Sequence, residues 1–146
     1  MALVDVTTEV VINCKIDKVA DYAANPDSAP LWYENIESVE WKTQPPLSLG
    51  SQITFTANFM GKKLKYTYEV VEYNPNNKLV MKTAEGPFPM ETTYEWETVE
   101  ESKTRMRLRN RGRPRGFSAL MTPLMAKMMR KANSKDLDLI KNLLEE

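Results

Sequence analysis

The chain contains no histidine and only one cysteine, Cys14. Without histidine, the commonest general base and a frequent metal ligand are both missing. No Ser-His-Asp or Cys-His arrangement can be built within this chain. With neither histidine nor paired cysteines, zinc, iron–sulfur and facial-triad iron sites are not expected, and no cofactor is expected. Cys14 has no partner for an intrachain disulfide and no obvious activating neighbour, so it reads as a structural thiol. This sparing use of cysteine fits a reducing compartment, and the expected location is cytoplasmic. There is no P-loop and no dinucleotide-binding glycine fingerprint. No window approaches the roughly 18 consecutive apolar residues of a membrane-spanning helix. The opening MALVDVTTEV lacks the basic region and apolar run of a signal peptide, and none is expected.

A charge excess is missing too. Lys plus Arg and Asp plus Glu each number 20, so the formal net charge is zero and no whole-protein field attracts nucleic acid. The distribution is uneven. From Lys103 to Lys135 there are 11 basic residues and no acidic one, whereas Glu69 to Glu101 holds eight acidic residues against two basic. The length of 146 residues predicts a single domain, 1–146, able to bury a core without a disulfide or metal staple.

What is present is mostly period-two patterning. Leu3 to Ile12 alternates around Val4, Val6, Val10 and Ile12, an opening strand with one wet face. Asp17 is placed to cap a short helix over Lys18 to Ala24, and Asp27 and Ser28 a second around Ala29 to Trp32. A second strand is expected over Ile36 to Lys42. In the third, Ile53, Phe55, Ala57 and Phe59 alternate with polar residues; Leu64, Tyr66, Tyr68 and Val70 alternate in the fourth. A hairpin here would set Phe59 near Leu64, Ala57 near Tyr66 and Phe55 near Tyr68. Val71 breaks the parity after Val70, which predicts a bulge. Asn74-Pro75-Asn76-Asn77 is a strong turn signal before a short strand over Lys78 to Thr83.

The next hairpin is the most legible. Pairing about a turn near Glu100 to Lys103 sets Trp96 against Met106 and Tyr94 against Leu108 on one face. The same register sets Glu97 against Arg105, Glu95 against Arg107 and Glu91 against Arg111 on the other. The first strand then belongs beside the last, completing seven strands. From Ser118 to Leu144 the period becomes helical: Phe117, Leu120, Met121, Leu124, Met128, Ala132, Leu139, Ile140 and Leu143 recur at intervals of three and four. A long amphipathic helix and a sheet with one apolar face need each other's cover. The expected architecture is α+β, a curved seven-stranded antiparallel sheet with two short helices after the first strand and a long C-terminal helix packed across it.

This order of elements resembles the Bet v 1-like superfamily, in its START and polyketide-cyclase (SRPBCC) group with the helix-grip fold. The residues that carry the likeness are Asn25-Pro26 through Trp32, Ile36 with Val39 and Trp41, Leu49-Gly50, and the closing Leu143-Leu144-Glu145. The likeness spans essentially the whole chain and points to a bacterial-type member. It contains no catalytic fingerprint. It implies a cavity between sheet and helix that holds a lipid, a sterol, or an aromatic or polyketide-like metabolite; a minority of such proteins are cyclases, dehydratases or demethylating oxygenase components. Carried onto this chain, the implied lining on the sheet side is Trp32, Phe55, Phe59, Tyr66, Tyr68, Phe88, Tyr94, Trp96 and Met106. On the helix it is Leu120, Met121, Leu124, Met125 and Met128. Methionine and half-polar aromatics suit an adaptable pocket, although the same residues also make ordinary cores.

The expected function is therefore binding of a small hydrophobic or amphipathic molecule. The alternatives are a cyclase- or dehydratase-like enzyme and a protein-interaction module using the arginine-rich surface. An enzyme built from this chain would have to draw its acid–base groups from Tyr66, Tyr68, Tyr94, Glu34 and Arg109. Arg105, Arg107, Arg109 and Arg111 share one face and read as a solvated surface paired with Glu91, Glu95 and Glu97. No aromatic is interleaved for base stacking, and nucleic acid is not an expected partner. Arg113 and Arg115 lack evident acidic partners. With Lys127, Arg130 and Lys131 they would form a positive patch near a cavity rim, suited to an anionic head group or to transient contact with an anionic membrane surface. A monomer or weak homodimer is expected.

Overall fold

The computed structural model describes residues 4–59, 61–86, 89–113 and 122–145, save the side chain of Phe59. Seven strands run β1 (Val4–Ile12), β2 (Ile36–Trp41), β3 (Gln52–Phe59), β4 (Lys62–Asn74), β5 (Lys78–Glu85), β6 (Met90–Glu100) and β7 (Lys103–Gly112). Two helices, α1 (Ile16–Ala24) and α2 (Ala29–Trp32), follow β1, and α3 (Thr122–Leu144) closes the chain. The strands form one antiparallel sheet in the order β1-β7-β6-β5-β4-β3-β2. The sheet curves around α3, which packs across it.

The β6–β7 hairpin has the register that its two faces demand. Trp96 pairs with Met106, Tyr94 with Leu108, Glu97 with Arg105, Glu95 with Arg107 and Glu91 with Arg111. Met106 and Leu108 are fully buried, each contributing about 1.5–3 kcal/mol by leaving water. On the outer face the salt bridges are Arg105–Glu97, Arg107–Glu9, Arg109–Asp5 and Arg111–Glu91. Two of the four acidic partners therefore come from β1, which lies against β7 on its other side. The Arg109 hydrogen bond lowers the Asp5 carboxyl below its ordinary range. These exposed pairs contribute little each, about 0.2–1 kcal/mol, and mark this face as solvated.

Three local expectations are corrected. Helix α1 begins at Ile16, not Lys18, and its N-cap, Lys15, makes no side-chain cap. Asp27 does not act as the expected cap: its Oδ1 accepts the Trp41 indole N–H at 2.9 Å, and it is the Asn25 side chain that accepts the Asp27 N–H at 3.1 Å. In the β3–β4 hairpin Phe55 pairs with Tyr66, Ala57 with Leu64 and Phe59 with Lys62. The turn is tighter than predicted, with Gly61 at φ 79°, where glycine has no Cβ to clash. The partner strand slides by two residues, so the same side chains still face inward. The bulge predicted at Val71 is present between Val70 and Glu72.

The long helix turns a different face to the sheet from the one its leucines and methionines suggest. Met125, Asn133, Asp136, Leu137 and Ile140 are buried. Leu124, Met128, Leu139 and Leu143 are exposed. The buried series still follows helical spacing, but it includes an amide and a carboxylate, so hydropathy alone selects the neighbouring stripe. The predicted helical start, including Phe117, Leu120 and Met121, lies outside the described residues.

Candidate functional site

The core divides the interior of the fold into two ends. At one end Ile12, Val19, Trp32, Ile53, Leu79, Trp96, Met106, Leu108, Leu137 and Ile140 pack into a single cluster under α1, α2 and the C-terminal half of α3. At the other end the described residues of the sheet and of α3 border a cavity of about 190 Å³.

Strand parity decides what lines this space. From β3 come Phe55 and Ala57, from β4 Leu64, Tyr66 and Tyr68, from β5 Met81, and from β6 Met90, Thr92 and Tyr94. These are the inward positions of each strand. Helix α3 contributes Met125, Met129, Ala132, Asn133 and Asp136, one face at helical spacing, and Tyr33, Asn35 and Ile36 enter from the α2–β2 connection. Gly86 keeps the space beside Tyr66 open, since a Cβ there would lie 2.7 Å from the ring.

Of the lining residues implied by the resemblance, the cavity brings together Phe55, Tyr66, Tyr68, Tyr94 and Met125. Trp32, Trp96 and Met106 are elsewhere, in the packed cluster at the closed end. Leu124 and Met128 face solvent. Phe88, Leu120, Met121 and Arg115, with the Phe59 side chain, lie outside the described residues. Arg113 is exposed, beside Arg111 and Glu91 in a separate shallow depression. Arg109 lies on the outer face, and Glu34 is exposed. Neither lines the cavity.

The lining residues that the resemblance does not imply include Ala57, Leu64, Met81 and Met129, and the polar Tyr33, Thr92, Asn133 and Asp136. Tyr33 and Tyr94 share a hydrogen bond, 2.6 Å between their hydroxyl oxygens. Burial, then the presence of the other ring's oxygen, raises Tyr33 well above the ordinary phenol range. Tyr94 rises for the same first reason. Burial also lifts Tyr66 and Tyr68 to about 12. All four are neutral near physiological pH. The Thr92 hydroxyl donates to Asn110 Oδ1 at 2.6 Å. Asp136, only 3% exposed, accepts the Glu34 backbone N–H at 3.0 Å. Burial pushes its carboxyl up to about 6, against the lowering effect of that hydrogen bond. The Asn133 amide nitrogen is buried with no hydrogen-bond partner among the described residues. One signal in the sequence could have found this set: Met125, Met129, Ala132, Asp136 and Ile140 step along a single helical face.

A family described as polyketide cyclase / dehydrase and lipid transport matches residues 4–145. The chain belongs to that family. Among curated proteins, none matches the sequence. Solved structures share the fold. The protein TTHA0849 from Thermus thermophilus superposes with a TM-score of 0.81 at 22% identity, covering 94% of each chain. A START superfamily protein from Mycobacterium smegmatis gives 0.83 at 12% identity over 97% of each chain. The Zhui aromatase/cyclase from Streptomyces sp. R1128 gives 0.79 at 16% identity, covering 99% of this chain and 94% of that one. At such identities the likeness establishes the helix-grip architecture and nothing finer. Among the described residues no helix is long and apolar enough to cross a membrane, and no group of His, Cys, Asp and Glu is arranged to hold a metal ion.

Proposed function

We propose that this protein binds a small hydrophobic or amphipathic molecule, a lipid or an aromatic, polyketide-like metabolite, between the sheet and α3. The observation that carries the reading is the contrast between the two ends of one interior. The closed end is packed with large side chains, while the other end leaves about 190 Å³ lined by aromatics and methionines. A ligand there would gain affinity by leaving water, and the hydroxyls and amides around it would set its orientation. The family's description, which includes lipid transport, supports the class of ligand. The single, half-buried Cys14 fits a reducing, cytoplasmic setting.

The test fills the space. Ala57 lines the cavity from β3, and Ala57→Trp puts a large ring into it. Isothermal titration with a panel of fatty alcohols and fused-ring aromatics is expected to show binding to the parent and at least about a tenfold loss in the variant. Equal binding by both would place the ligand elsewhere.

One observation favours a second reading, a cyclase- or dehydratase-like enzyme. A carboxyl with its pKa near 6 shares an apolar space with two neutral tyrosine hydroxyls. Groups poised in this way are suited to proton transfer. Tyr94→Phe separates the two readings. Affinity should fall by only about fivefold in either case, as for one lost hydrogen bond. Turnover of an identified ligand should fall by about a hundredfold or more only if Tyr94 moves or stabilises a proton.

A further inference from the structure

We infer that Asn133 and Asp136 form a polar clamp that selects a ligand bearing a hydroxyl group on an otherwise apolar, uncharged body. The inference rests on the ligand-binding reading above and specifies the chemistry of the same cavity.

The two side chains stand three residues apart on α3, and so on one face, one turn from each other. Both are at least nine-tenths buried, and both line the cavity. The Asn133 amide nitrogen has no acceptor among the described residues, an uncommon condition for a buried donor. Asp136 uses Oδ1 to accept the Glu34 N–H, and among the described residues no donor reaches its other oxygen. One helical face bordering the cavity therefore carries a buried amide and a buried carboxyl one turn apart.

Ligand groups satisfy this pair unequally. A hydroxyl serves both: its oxygen accepts from the Asn133 amide, and its O–H donates to the Asp136 carboxylate. A ketone can accept from Asn133 but gives Asp136 nothing. An ammonium pairs with Asp136 but leaves Asn133 without an acceptor. A carboxylate meets a like charge with no compensation, because no Lys or Arg is among the described lining residues. Tyr33 and Tyr94 stand close enough to Asp136 for its charge to act on both. In their mutual hydrogen bond the accepting hydroxyl keeps a proton of its own. Apart from Asp136 the described lining is uncharged: Phe55, Leu64, Met81 and Met125 are apolar, and Asn35, Thr92 and Asn110 are neutral, so nothing further compensates a second charge.

The experiment uses four probes of one shape: naphthalene, 2-naphthol, 2-naphthylmethylamine and 2-naphthoate. Binding to the full chain is followed near neutral pH by amide NMR shifts and calorimetry. The expected result is that 2-naphthol binds at least about tenfold more tightly than naphthalene or the amine, with naphthoate weakest. In Asn133→Leu the naphthol advantage over naphthalene should shrink to about twofold or less. In Asp136→Asn the naphthoate should recover to near the level of naphthalene, a gain that a merely structural role would not produce. Equal affinities for all four probes, or preference for the anion or the amine, would overturn the clamp while leaving the cavity reading intact. Absence of binding by every probe would remove the cavity reading and the clamp together. The ranking on the parent protein decides the matter even if a variant fails to fold.

Discussion

Replacing Asp136 by asparagine is expected to stabilise the protein in mildly alkaline solution and leave it unchanged in acid. The direction follows from the sign of the pKa shift. Burial raises the folded-state carboxyl to about 6 from an ordinary 3.8. Between those values the folded chain holds a proton that the unfolded chain has released. The stabilising contribution of this group is therefore present below about pH 4 and is lost as pH rises through about 6. Above that, the folded protein carries a buried charge at a cost on the order of 3 kcal/mol. Asparagine keeps the oxygen that accepts the Glu34 N–H and never ionises. Urea unfolding at several pH values should show the variant more stable by about 2–3 kcal/mol near pH 8. The advantage should fade to nothing near pH 4. A difference independent of pH would mean that Asp136 titrates normally and is open to water. A carboxylate kept in the interior at such a cost is a functional candidate in its own right.

Trp32→Ala is expected to cost about 3–5 kcal/mol, the range for removing a large buried ring. Trp32 has no exposed surface, and its ring centroid lies 4.1 Å from that of Tyr33 and 5.8 Å from that of Tyr94. It fills the closed end of the interior and backs the tyrosine pair at the cavity. Against the roughly 5–15 kcal/mol by which natural domains are stable, this loss is a large share. Trp32→Phe should recover most of it, since a ring returns and the indole N–H, which has no partner among the described residues, is gone. Urea unfolding followed by near-ultraviolet circular dichroism reads both effects. A change under about 1 kcal/mol for the alanine variant would mean that Trp32 faces open space, as a ligand-lining residue would.

The parts of the fold that were legible in the sequence are those where two independent patterns agree. In β6–β7 the apolar face and the charged face require the same register, and it is the register found. In β3–β4 only one pattern was available, and it fixes parity without fixing the turn, so the pairing came out two residues away. The partners of Arg107 and Arg109 are on β1, about a hundred residues away, and no local signal links them. The site was less legible for a related reason. Hydropathy finds surfaces that avoid water, and on α3 it selected the buried Ile140 and the cavity-lining Ala132 together with Leu124, Met128, Leu139 and Leu143, which are exposed. The face that closes the cavity carries Asn133 and Asp136, whose polarity disguises it. Likewise the tryptophans drew attention as ligand contacts, but rings of that size fill the packed end, while smaller or half-polar residues border the space that remains.

The most direct test of the account is a map of amide NMR shifts during titration with a ligand from the alcohol and aromatic panel. The account predicts shifts concentrated at Phe55, Ala57, Leu64, Thr92, Met125 and Asn133, the two facing walls of one cavity. Shifts confined to the arginine-bearing outer face of β7, or to the exposed side of α3 around Leu124 and Met128, would contradict it and move the function to the surface.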